Sequence, residues 1–74
     1  MSAQAERRAA MYKAELLERA GLYYRLGYSA KRATARLKAN VAWDFDAGNS
    51  RPAGLTDRDI GEIVKAAYLR RANR

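Results

Sequence analysis

The sequence predicts an all-α protein, a small bundle of three to four helices. Apolar residues recur at three- and four-residue steps over three separate stretches. Serine, threonine and glycine stand where helix caps need them. The 74 residues leave room for one domain only, because chains this short hide only about 60% of the surface their unfolded state exposes. Its core must be small, since 16 of the apolar residues are alanine. The absence of cysteine and histidine removes disulfide staples, thiolate nucleophiles, classical zinc sites and imidazole acid/base chemistry. No enzymatic activity and no cofactor are expected.

The first helical stretch, about 3–26, is built from alanine, leucine, glutamate, arginine and lysine, all strong helix formers. Ser2 is placed to cap it, and Tyr12, Leu16, Leu17, Ala20, Tyr23, Tyr24 and Tyr28 fall along one side. Gly21 lies inside this pattern and marks either a break or a close helix contact; a break, which yields the fourth helix, is favoured. Gly27 then reads as a helix stop, and Ser29 as the cap of the next helix.

The second stretch, 30–44, puts Ala30, Ala33, Thr34, Leu37, Val41 and Phe45 on one face at the 3.6-residue period. Arg32, Arg36 and Trp43 cluster on the opposite side, and Lys31 and Lys38 flank the apolar stripe. Glycine, asparagine, serine and proline then concentrate in a loop, 45–56. Asp44 and Asp46 end the second helix or pair with Arg51 or Arg58, and their spacing to Gly48 does not fit a calcium loop. The third helix, 57–72, opens at Thr56, with Asp57, Asp59 and Glu62 suited to its positive end. Ile60, Ile63, Val64, Ala67 and Tyr68 form its apolar face, and Arg70, Arg71 and Arg74 gather at its negative end.

Fifteen lysines and arginines against eight acids give a formal net charge of +7 and favour a polyanionic partner. Eleven of the cations are arginine, whose planar fork suits phosphate and carboxylate. Arg19, Arg25, Lys31, Arg32, Arg36 and Lys38 occur with no acid between Glu18 and Asp44, so this half of the chain is strongly basic. Trp43 projects beside Arg32 and Arg36. Either the helix has ended before it, or it packs against the first helix from another side, or it is an exposed anchor of the kind found at binding hot spots.

Leu22 and Leu26, then Gly27, Tyr28 and the Ser29-capped basic helix with Ala33 and Leu37 inward, together resemble a helix-turn-helix pair. Tyr23 stands where such units usually keep a small residue. The resemblance implies that the second helix enters the major groove, with Lys31, Arg32 and Arg36 at base edges or phosphates and Arg25 and Lys38 on the backbone.

Two functions are therefore expected. One is a nucleic-acid-binding module using Arg25, Lys31, Arg32, Arg36 and Lys38, with DNA favoured over RNA. The other is a non-enzymatic interaction subunit or inhibitor that docks Trp43, Arg32, Arg36 and Tyr24 on an acidic or nucleic-acid-binding protein, or pairs as a homodimer. No apolar run approaches the roughly 18 residues of a membrane span, and the N-terminus lacks a signal-peptide core. A cytoplasmic, membrane-free protein is the expectation.

Overall fold

The computed structural model of the chain describes residues 3–46, 51–52 and 54–73. Three α-helices pack together: α1, Ala3–Arg25; α2, Ala30–Val41; and α3, Asp57–Ala72. A π-helical turn, Ala42–Asp46, extends α2. Among the described residues there is no strand. The sequence placed a loop over 45–56, but Phe45 and Asp46 belong to the π turn; residues 47–50 and 53, like Ser2 and Arg74, lie outside the described residues.

The core follows the helical period. Leu16 and Ala20 come from α1, Ala33, Leu37 and Val41 from α2, and Ile60, Val64 and Ala67 from α3, all buried. Leu55, on the approach to α3, is fully buried with them. Tyr12, Leu17, Tyr23, Phe45, Ile63 and Tyr68 close around this cluster half-buried. Each large core side chain removed from water contributes about 1.5–3 kcal/mol, so the three core alanines leave the bundle dependent on its half-buried aromatic shell.

Helix α1 runs unbroken through Gly21, so the expected break is corrected to a close contact. A Cβ on Gly21 would sit 2.7 Å from Nη2 of Arg71. The guanidinium of Arg71, an exposed side chain of α3, lies over α1 at that point, so a larger residue there would push the arginine aside.

The turn between α1 and α2 is a Schellman motif. The Tyr28 amide donates to the Tyr23 carbonyl at 3.0 Å and the Gly27 amide to the Tyr24 carbonyl at 3.1 Å, which satisfies two carbonyls that the helix end leaves free. Gly27 carries the required left-handed backbone, φ 86°. The apolar contact that accompanies this motif is the stack of Tyr23 on Tyr28, ring centroids 5.1 Å apart and 20° from parallel. Tyr68 of α3 ties the turn down by donating its hydroxyl to the Tyr28 carbonyl at 2.6 Å. Leu22 and Leu26 are 51% and 69% exposed; the Tyr23–Tyr28 stack occupies the inner side of this corner.

Entry to α3 is fixed by polar contacts. The Leu55 amide donates to the Pro52 carbonyl across Gly54, φ 84°, a geometry that calls for glycine as in a type II turn. Arg51 pairs with Asp57 at 2.8 Å rather than with Asp44. Thr56 and Asp59 form a reciprocal capping box. The hydrogen bonds from the Thr56 hydroxyl and amide lower the Asp59 carboxyl below its ordinary value.

Replacing Gly27 by alanine isolates the backbone cost of this turn, because no atom lies within 4 Å of the added Cβ. Gly27→Ala is expected to lower the unfolding free energy by about 1–2 kcal/mol, the cost of left-handed backbone for an L-residue, and Gly27→Asn to lose less. Urea unfolding of both variants checks this, and an alanine variant as stable as the parent contradicts it.

Candidate nucleic-acid interface

Helix α2 carries Lys31, Arg32, Arg36 and Lys38 and no carboxylate. Ser29 caps it, its hydroxyl accepting from the Arg32 amide at 3.1 Å. Helix α3 places Asp57 and Asp59 in its first turn, where the positive end of the helix dipole favours them. The first turn of α2 holds Lys31 and Arg32 and no acid. Its backbone and its side chains therefore add positive potential at one place, which disfavours the free helix and favours a bound anion.

At 100° per residue, Ala35 and Ala39 lie between Lys31 and Lys38 on one flank and Arg32 and Arg36 on the other. Both alanines are exposed. The outward ridge of α2 is thus a floor of methyl groups with cations on both sides, low enough for a polyanion to approach the backbone closely. None of Arg25, Lys31, Arg32, Arg36 and Lys38 is held in an ion pair among the described residues.

Tyr28 orders the arginine flank. The Arg32 guanidinium carbon lies 4.8 Å from the centroid of its ring and that of Arg36 lies 5.6 Å away, both within cation–π range. Since Tyr28 also stacks on Tyr23, one aromatic pair anchored in the turn restrains two arginines that point to solvent. Sequence reading treated Tyr28 as core, whereas it is half-buried and serves as a platform. The signal lay in the i, i+4, i+8 spacing of Tyr28, Arg32 and Arg36.

The remaining expected site residues are distributed more widely. Arg25 ends α1, exposed, and Lys38 is half-buried. Lys31 faces the groove between α2 and α3, on the other flank from Arg32 and Arg36. Tyr24, expected beside Trp43 on the docking face, lines that same groove, its ring edge-on to Tyr68 with centroids 5.0 Å apart. It is 38% exposed. Tyr24 therefore does not join the Trp43 face; it sits a full chain turn earlier and is held by α3.

Trp43 lies within the π turn and is 86% exposed. Of the three sequence alternatives, the first holds, since α2 ends at Val41, and the exposure named in the third is what the fold displays. The two residues after it are pinned: Asp44 accepts a 2.5 Å hydrogen bond from the Tyr12 hydroxyl, and Phe45 meets the Tyr12 ring edge-on at 5.0 Å. The wider π turn lets both Asp44 and Phe45 reach Tyr12, with the indole left in solvent. Asp44 was expected to end the second helix or to pair with Arg51 or Arg58; it lies in the π turn after α2, and its partner is Tyr12. Burial, then the hydrogen bond and charge of Asp44, push the Tyr12 phenol up to about 12.

No protein-family model, no curated protein and no solved structure matches this chain. Among the described residues no helix is long and apolar enough to cross a membrane.

Because the Tyr12 phenol is raised in the fold, its bond to Asp44 contributes fully below pH 10 and is lost as pH rises through about 12. Absorbance titration of the five tyrosines is expected to show Tyr12 among the last to ionise, and Asp44→Asn is expected to bring its midpoint down. All five titrating together near 10 contradicts the contact.

Proposed function

We propose that the protein is a nucleic-acid-binding module that lays α2 against a phosphate-lined groove. The observation that carries this reading is a helix with four cations and no acid whose exposed ridge is alanine. Such a surface sets basic side chains beside a close-approach strip, which suits a polyanion with spaced charges. The B-form major groove, about 12 Å wide, admits an α-helix, while the corresponding groove of A-form RNA is deep and narrow; duplex DNA is therefore favoured over RNA. In this arrangement α1 and α2 act as a helix-turn-helix-like pair joined at Gly27. Arg32 and Arg36, restrained over Tyr28, reach base edges or phosphates; Lys31, at the start of α2, adds its charge to the helix dipole, and Arg25 and Lys38 contact the backbone.

A second reading rests on Trp43, whose large exposed indole beside arginine-bearing helix has the composition of a protein-binding hot spot. In that reading the partner is an acidic or nucleic-acid-binding protein, and a second copy of the chain is the alternative occupant.

Titration of a mixed-sequence duplex at several salt concentrations tests the first reading. Neutralising five phosphates is expected to give a slope of roughly −4 to −5 in log affinity against log salt. The double variant Arg32→Ala, Arg36→Ala is expected to abolish most binding while Trp43→Ala leaves the salt slope unchanged. Undiminished affinity in the double arginine variant contradicts the nucleic-acid reading. A Trp43→Ala loss of about 2 kcal/mol toward a protein partner, with the fold intact, supports the second.

A further inference from the structure

A groove runs between α2 and α3 with Gly61 and Val64 in its lining, Lys31 and Lys65 as its charged groups, and the exposed Tyr24 and Leu69 among its apolar ones. Among the described residues no carboxylate lines it. Its lining is mostly apolar, unlike the cationic flank of Arg32 and Arg36, so it is a surface of a different kind.

Gly61 is the feature that calls for explanation. Gly21 lies against the Arg71 guanidinium, and Gly27 and Gly54 have positive φ. Gly61 lies inside α3, where glycine costs about 1 kcal/mol relative to alanine, and a Cβ built on it would meet nothing within 4 Å. Nothing among the described residues requires it. A glycine in a helix that faces an open groove, without an internal neighbour to accommodate, keeps depth for something that approaches from outside.

We infer that this groove binds an acidic amphipathic helix of a partner protein. The apolar lining fits a hydrophobic stripe, Gly61 permits close approach of a helix backbone, and Lys31 and Lys65 meet carboxylates flanking the stripe. The groove is bounded by helices and offers no strand edge, so an extended peptide would find no backbone partners. A second copy is the poorer occupant: the chain carries +7, and a two-fold contact through this groove would set its lysines against their own copies. The inference stands independently of the nucleic-acid reading, although Lys31 lies at the edge of both surfaces.

The test is a nuclear magnetic resonance titration of the full chain with a synthetic peptide carrying a leucine stripe at helical spacing and glutamates on both flanks. The amides of Gly61, Val64 and Lys65 are expected to shift saturably, and a peptide with lysines in place of the glutamates is expected to leave them unmoved. Gly61→Leu, which fills open space, is expected to weaken the acidic peptide by roughly tenfold or more while its melting temperature stays at or above that of the parent. Gly61→Ala is expected to raise the melting temperature and weaken binding less, so that the loss is separated from misfolding. Four results overturn the inference: no saturable shift with the acidic peptide, equal shifts with both peptides, parental affinity in Gly61→Leu, or movement of the same amides on simple concentration of the protein, which assigns the groove to self-association.

Discussion

The geometry of this small bundle depends on the clamp that holds the corner between α1 and α2. Three independent contacts meet at Tyr28: its amide closes the Schellman motif on Tyr23, its ring stacks on the Tyr23 ring, and its carbonyl accepts the Tyr68 hydroxyl from α3. Burial, with Tyr24 alongside, raises the Tyr68 phenol, so the donor keeps its proton throughout the neutral range. The corner adds to the buried residues Ala33, Leu37 and Val41 in fixing the direction of α2.

The same corner determines where charge is displayed. Arg32 and Arg36 are restrained over the Tyr28 ring, so they lose less side-chain freedom on binding than free arginines would. Lysine and arginine at the positive end of α2 oppose the helix dipole and repel one another, a local cost that an anion relieves. In α3, by contrast, Asp57, Asp59 and the Thr56 cap agree with the dipole, as Glu6 and Arg25 do in α1. Helix α2 thus joins the core through Ala33, Leu37 and Val41 while the charge pattern of its first turn runs against its dipole.

Much of this was legible in the sequence. Periodicity located the three helices, and Ser29, Thr56 and Gly27 marked their ends because caps require those residue types at those positions. What could not be read was set by contacts distant along the chain. Gly21 looked like a break because intrinsic propensity says nothing of Arg71, fifty residues away, lying across it. Asp44 was matched to arginines nearby in sequence, whereas Tyr12, 32 residues earlier, claims it. Tyr24 was grouped with Trp43 as an aromatic anchor, but Tyr24 lies in α1 edge-on to Tyr68 and Trp43 in the π turn after α2. Tyr28 showed its role in spacing alone, yet its position outside the helix concealed it.

Hydrogen exchange at the Tyr28 and Arg32 amides, in the parent and in Tyr68→Phe, tests the corner most directly. Both amides are bonded in the turn and cap and are predicted to be protected in the parent. Loss of the Tyr68 hydroxyl is predicted to speed their exchange by about fivefold, the factor matching about 1 kcal/mol for one hydrogen bond, with a smaller change at Leu37 and Val41. Free exchange at Tyr28 and Arg32 in the parent, or no change on removing the hydroxyl, would contradict a bundle organised around this clamp.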